Sequence, residues 1–143
     1  VRPIVALLVL IALALGGCSF SDLTDDRTPD LDDTAWSLTG WTEPQVDPVP
    51  FRITALFDDG QLSGRSGVNR YSGNYTAGPG TAFVVGALAT TEMAGPPEAM
   101  QAERTFQDLL TAVRTYRREG GVLILGDETG KSLLVLTPLP DRD

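Results

Sequence analysis

The chain offers few side chains that could do chemistry unaided. Its 143 residues include no histidine and a single cysteine, Cys18. That removes the imidazole base, the histidine triads and the histidine metal ligands. It also forbids an internal disulfide and any CxxC-type metal or redox site. Hydroxyl nucleophiles concentrate in Ser63-Gly-Arg-Ser-Gly-Val-Asn-Arg-Tyr-Ser-Gly-Asn-Tyr75. Ser63 or Ser66 would need a base there, and only Lys131 or a carboxylate could serve. The glycine density suggests a phosphate loop, but no Gly-Lys-Ser/Thr ending follows and no helix begins after it. Asn69 and Arg70 could hold a polar group, although an asparagine so placed more commonly orders its own loop. Asp58, Asp59, Asp127 and Glu128 all fall in turn sequences, which accounts for them without catalysis. The expectation is no catalytic residue, no bound metal and no cofactor.

Cys18 has a different chemistry in view. Arg2 precedes an apolar run from Ile4 to Leu15, and Leu15-Gly16-Gly17-Cys18 follows directly. A 12-residue run makes a helix of about 18 Å, short of the roughly 30 Å of bilayer hydrocarbon, and suits a secretory leader. Its last four residues look like a bacterial lipobox, which implies cleavage before Cys18 and a lipid on its sulfur. Residues 1–17 are therefore expected to be a lipoprotein signal peptide. Residues 18–33, with six aspartates, are expected to be a solvated acidic tether. The aspartates lack the spacing of an EF-hand loop. Eleven basic residues against 19 acidic give a net charge of −8, which argues against a nucleic-acid partner.

A single domain over residues 34–143 must position whatever remains. Trp36 and Leu38 alternate with polar neighbours in a first strand ending near Trp41. Phe51, Ile53, Ala55 and Phe57 do the same in a second. Asp58-Asp59-Gly60 has hairpin-turn chemistry, leading into a strand around 61–64. Residues 70–76 offer another, with Tyr71, Gly73 and Tyr75 on one face, and 81–89 reads as a strand apolar on both faces and therefore covered. One stretch has helical period: Pro96 and Pro97 open it, and Met100, Glu103, Phe106, Leu110 and Val113 mark its stripe. Arg114, Arg117 and Arg118 gather near its end, where cations suit the helix dipole. Residues 115–119, 122–125 and 132–137 complete the strands. Tight turns between them predict an antiparallel arrangement. The expected fold is α+β and β-rich: one strongly curved antiparallel sheet, or a partly open barrel, of about seven to eight strands with one helix packed on it. Core candidates are Trp36, Phe51, Phe57, Tyr75, Phe83, Phe106 and the leucines of the last two strands.

The order Trp36-x-Leu38, SGRSGVNRYSGNY, Leu88-Ala-Thr-Thr-Glu-Met-Ala94, PPEAMQAERTFQDLL and VLILGDETGKSLLVL resembles the META domain, also called the HslJ-type domain, over roughly residues 34–137. The family's Ser-Gly-Cys-Asn motif corresponds to Ser66-Gly67-Val68-Asn69, and its Met-Ala-Cys motif to Met93-Ala94-Gly95. Members often carry both cysteines and are thought to join them. Here both positions have lost cysteine together. The resemblance implies a small β-rich fold with one helix, common on envelope and secreted proteins, and no known active site.

These readings together predict a lipid-anchored envelope lipoprotein on the exported side of the cytoplasmic membrane, with a non-catalytic binding or assembly module. Its expected partners are the membrane, through a lipid on Cys18, and an envelope protein or apolar small ligand. One rival is a carrier of a small apolar ligand in a cavity between sheet and helix. The other is a hydrolase using carboxylates.

Overall fold

The computed structural model describes residues 31–43 and 45–140. Cys18, the leader and most of the acidic stretch lie outside the described residues. Nine strands form: β1 (Thr34–Trp41), β2 (Thr54–Asp58), β3 (Gln61–Arg65), β4 (Arg70–Ala77), β5 (Phe83–Val85), β6 (Ala89–Thr90), β7 (Thr115–Glu119), β8 (Val122–Gly126) and β9 (Ser132–Pro138). Among the described residues the one α-helix, α1, is Pro97–Ala112, and a short 3-10 turn occupies Val49–Phe51.

All pairings are antiparallel, and the spatial order is β5-β4-β3-β2-β1-β9-β8-β7, with β6 beside β4. The two ends of that order meet. Phe83 N–H donates to the Arg114 carbonyl (2.9 Å) and Tyr116 N–H to the Thr81 carbonyl (2.8 Å). The sheet is thus an almost closed barrel with one seam. Closure follows from strand twist accumulating across short strands, and it removes the exposed edges that invite aggregation.

Alternation decides what fills the barrel. Trp36 and Leu38, Ala55 and Phe57, Leu123 and Leu125, and Leu134 and Leu136 all point inward and are buried. Phe57 meets Tyr75 edge-on at 5.0 Å and Phe83 at 6.1 Å, and Phe83 lies 5.8 Å from Tyr116. These rings tie β2, β4, β5 and β7 across the seam. Each fully buried aromatic contributes about 2 to 3 kcal/mol over an exposed one. Phe51 and Tyr75 are only partly buried.

The helix starts where Pro97 takes the first-turn position that needs no N–H, with Glu98 behind it in that turn. It ends as Val113 turns extended. Its buried stripe is Ala102, Glu103, Phe106 and Leu110, and Phe106 meets Tyr71 edge-on at 5.3 Å.

Four expectations change. Leu31 is only 2% exposed and belongs to the core. The Thr34 hydroxyl donates to its carbonyl, and the Asp59 N–H donates to the Asp32 carboxylate. Leu31–Asp33 therefore belong to the folded unit and not to the tether; the acidity of the surrounding stretch hid one apolar residue. Phe51, expected to open β2, lies instead in the 3-10 turn. The strand expected over 81–89 is divided: β5 pairs with Tyr75–Ala77 and β6 with Tyr71–Ser72, in registers one residue apart. Residues 86–88 form the bulge between, and the outer face is open, with Val84 49% exposed. Finally, only Arg114 caps the helix, donating to the Thr111 carbonyl at 2.8 Å; Arg117 and Arg118 lie in β7.

Candidate functional site

The turn between β3 and β4, residues 66–69, lies against α1. Gly67 makes this possible, because its φ is +127° and a Cβ there would sit 3.1 Å from the Ala99 carbonyl oxygen. The turn aims its donors at one helical carboxylate. Glu103 Oε2 accepts from the Asn69 N–H (2.7 Å) and the Val68 N–H (3.2 Å), and it lies 2.9 Å from Ser66 Oγ. Oε1 accepts from Asn69 Nδ2 (2.7 Å). Asn69 then reaches a third segment. Its Oδ1 accepts from the Met93 N–H (2.6 Å) and the Thr91 hydroxyl (2.9 Å), and its Nδ2 also faces the Met93 carbonyl (3.1 Å).

Burial acts to raise the pKa of Glu103, which is only 6% exposed, but the hydrogen bonds from Asn69, Ser66 and Val68 outweigh it. The carboxyl is held below the ordinary glutamate range. Both oxygens are occupied, and Ser66 is fully buried. The cluster pins turn, helix and the 91–93 segment to one another, with Glu103, Ser66 and Asn69 all buried. Asn69, weighed from sequence as a loop-ordering residue or a ligand, does the former, across three segments. Ser66 is closed off as a nucleophile. Glu103 was expected merely as a stripe position on α1; the signal that could have found it is an acid at an inward-facing helical position.

Arg70 faces the other way. Together with Arg52 and Arg65 it lines an open groove that runs from the outer face of β2, β3 and β4 to the 3-10 turn and the start of α1. Two adjoining hollows of about 610 Å³ each share Arg65, Val68 and Met93. Arg65 and Arg70 are direct cross-strand partners. Sequence reasoning did not single out Arg52, Arg65 or Met93 as a set, because they come together only through the β3–β4 register and the Asn69–Met93 bonds.

A second hollow, about 400 Å³, lies between the end of β1 and the start of α1. Trp41, Val46, Phe51 and Ala102 form its apolar wall. The Trp41 indole N–H donates to the Val46 carbonyl at 2.7 Å, fixing the ring at the mouth.

The acid Asp58 ends β2 and Asp59 begins the β2–β3 turn, and Asp127 and Glu128 sit in the β8–β9 turn. Thr34 pairs with Phe57 and Trp41 with Leu134, so these turns lie at opposite ends of the barrel. Asp127 is occupied within its own turn. The Thr129 hydroxyl (2.6 Å), the Thr129 N–H (2.9 Å) and the Lys131 N–H (3.0 Å) all donate to it and lower its pKa.

A family model of the META domain matches residues 29–138. The chain belongs to the META-domain family. The match spans every strand described above together with α1. Among solved structures, the META chain is similar to a protein from Burkholderia xenovorans determined by NMR, with 26% identity, a TM-score of 0.63, and coverage of 78% of this chain and 85% of that one. A second protein determined by NMR shares 18% identity with a TM-score of 0.53, covering 74% of this chain and 89% of that one. A DUF4847 family protein from Bacteroides vulgatus shares 12% identity with a TM-score of 0.51, covering 78% and 96%. The last two likenesses concern the fold alone. Comparison with the curated proteins gives no match.

The META motifs locate one more feature. Val68 and Gly95, the positions that the resemblance pairs as cysteines, are neighbours. A Cβ built on Gly95 would lie 3.3 Å from Val68 Cβ and 2.5 Å from its Cγ2. Val68 thus fills the space over a residue without a side chain.

Proposed function

We propose that this META domain is a non-catalytic binding module of the bacterial envelope, exported and held to the membrane by a lipid on Cys18. The observation that carries the binding-module reading is the closed Glu103–Asn69–Ser66 cluster. The buried Glu103 carboxylate and Ser66 hydroxyl are hydrogen-bonded to one another and to backbone. Recognition then falls to shaped surface: the arginine groove and the apolar hollow. The separation of the turn carboxylates supports the same reading over a hydrolase. The anchor rests on Leu15-Gly16-Gly17-Cys18, and stable retention would need more than one acyl chain. None of the described helices is long and apolar enough to cross a membrane.

The anchor is tested by expressing the full chain in bacteria fed alkynyl palmitate. We expect label on the protein and recovery in the membrane fraction, both lost in Cys18→Ser. Label that persists in Cys18→Ser would overturn the assignment.

The hollow at Trp41, Val46 and Phe51 favours a second reading, a carrier of a small apolar ligand. It lies between sheet and helix, and its volume is within the usual range for ligand sites. Native mass spectrometry of the gently purified full chain tests this: a reproducible mass released on denaturation supports the carrier, and a bare chain sets it aside.

A further inference from the structure

In a chain of net charge −8, three of the 11 basic residues line this groove, Arg65 and Arg70 on the outer face of β3 and β4 and Arg52 after the 3-10 turn. Among the described residues none of the three forms an ion pair; the pair found is Arg117–Glu119, elsewhere on β7. Arg65 and Arg70 stand directly opposite in the β3–β4 ladder, on one face. Like charges so placed destabilise a sheet. Arg65 Nε donates to the Gly67 carbonyl (3.1 Å), which holds its guanidinium beside the groove. Apolar side chains interleave with this charge: Met93 is 55% exposed and Leu56 41%, with Val68 between the two hollows.

We propose that this groove binds an extended peptide segment that presents carboxylate and apolar side chains on one face, at every second residue. The inference rests on the binding-module reading and names its ligand. Guanidinium groups match carboxylates through paired charge-assisted hydrogen bonds, and an anion between Arg65 and Arg70 offsets their repulsion. Leu56, Val68 and Met93 receive the apolar residues. An extended peptide suits the groove because its two hollows adjoin through Arg65, Val68 and Met93 and form one continuous surface. The net negative charge disfavours a large polyanion such as nucleic acid or an anionic bilayer.

The test uses the full chain in phosphatidylcholine nanodiscs and a fluorescein-labelled hexapeptide Glu-Ser-Leu-Ser-Glu-Ser, whose glutamates and leucine share a face when extended, read by anisotropy. We expect saturable binding that salt weakens. Glutamine in place of glutamate, or the Arg65→Gln/Arg70→Gln double variant, should weaken it about tenfold or more. Arg104→Gln, outside the groove, should leave binding unchanged. The double variant should melt close to the parent, since relief of the like-charge pair offsets loss of the Arg65–Gly67 hydrogen bond. Equal binding of the glutamine peptide, or binding indifferent to the double variant, overturns the proposal. So does a silent peptide alongside arginine-dependent binding to phosphatidylglycerol vesicles, which would assign the groove to a lipid surface. Peptide bound but recovered cleaved would keep the ligand and overturn the non-catalytic reading. The palmitate experiment is independent of all these outcomes.

Discussion

At the scale of single residues, Glu103 is the hinge of the domain's chemistry. A buried carboxylate is costly unless every lone pair finds a donor, and here the β3–β4 turn supplies backbone N–H groups, an amide and a hydroxyl. Glu103→Gln keeps the shape but turns an NH2 toward those donors, and should destabilise the fold by about 2 to 4 kcal/mol in urea denaturation at pH 7. The pH dependence follows from the lowered pKa. With the folded value below the unfolded one, the stabilisation is full above the ordinary glutamate pKa of about 4.3 and is lost as pH falls through the native value. Denaturation midpoints of the parent should therefore drop on acidification across that window, and those of Glu103→Gln should drop less. Parallel curves would refute this role. Glu103 was legible as a helix-stripe residue, and Ser66 and Asn69 as the polar members of an unusual segment. What joins them is a contact across 34 to 37 residues of sequence, which no local pattern records.

At the scale of elements, strands and helix were readable because periodicity and turn chemistry are local. Asp59 and Gly60 have φ of 47° and 75°, as the two-residue hairpin requires. The helix stripe and its opening prolines appear where they were expected. The divided strand was not readable, since the bulge at 86–88 reflects two registers along β4 and nothing in its own residues. Packing between elements also sets limits on substitution. A Cβ on Gly64 would lie 2.1 Å from the Thr54 carbonyl oxygen, which is backbone and cannot rotate aside. Gly64→Ala should force β2 and β3 apart and cost about 3 kcal/mol, seen as a lower denaturation midpoint. Gly60→Ala, whose Cβ would meet nothing within 4 Å, should cost less, from its positive φ alone. Equal losses would show that the β2–β3 contact is not the constraint.

At the scale of the whole molecule, the barrel is held without a crosslink. Val68 and Gly95 are close enough that Val68→Cys/Gly95→Cys should oxidise to a disulfide once the two segments part by a few tenths of an ångström. The bridge would restrict the unfolded chain, and the oxidised variant should be more stable than its reduced form by about 3 kcal/mol, measured as the difference in denaturation midpoint. Failure to oxidise would show that the β3–β4 turn and the 93–95 segment are farther apart in solution. The sequence by itself determined the β-rich antiparallel class, the helix at 97–112, most of the inward-facing residues and the absence of histidine chemistry, because composition and periodicity are properties of neighbouring residues. Only the tertiary structure decided that the sheet closes on itself, that Leu31 joins the core, that Glu103 is sealed by the β3–β4 turn, and that Arg52, Arg65 and Arg70 share one groove. Each of these depends on strand register and twist, which bring distant residues together through the packing of the whole chain.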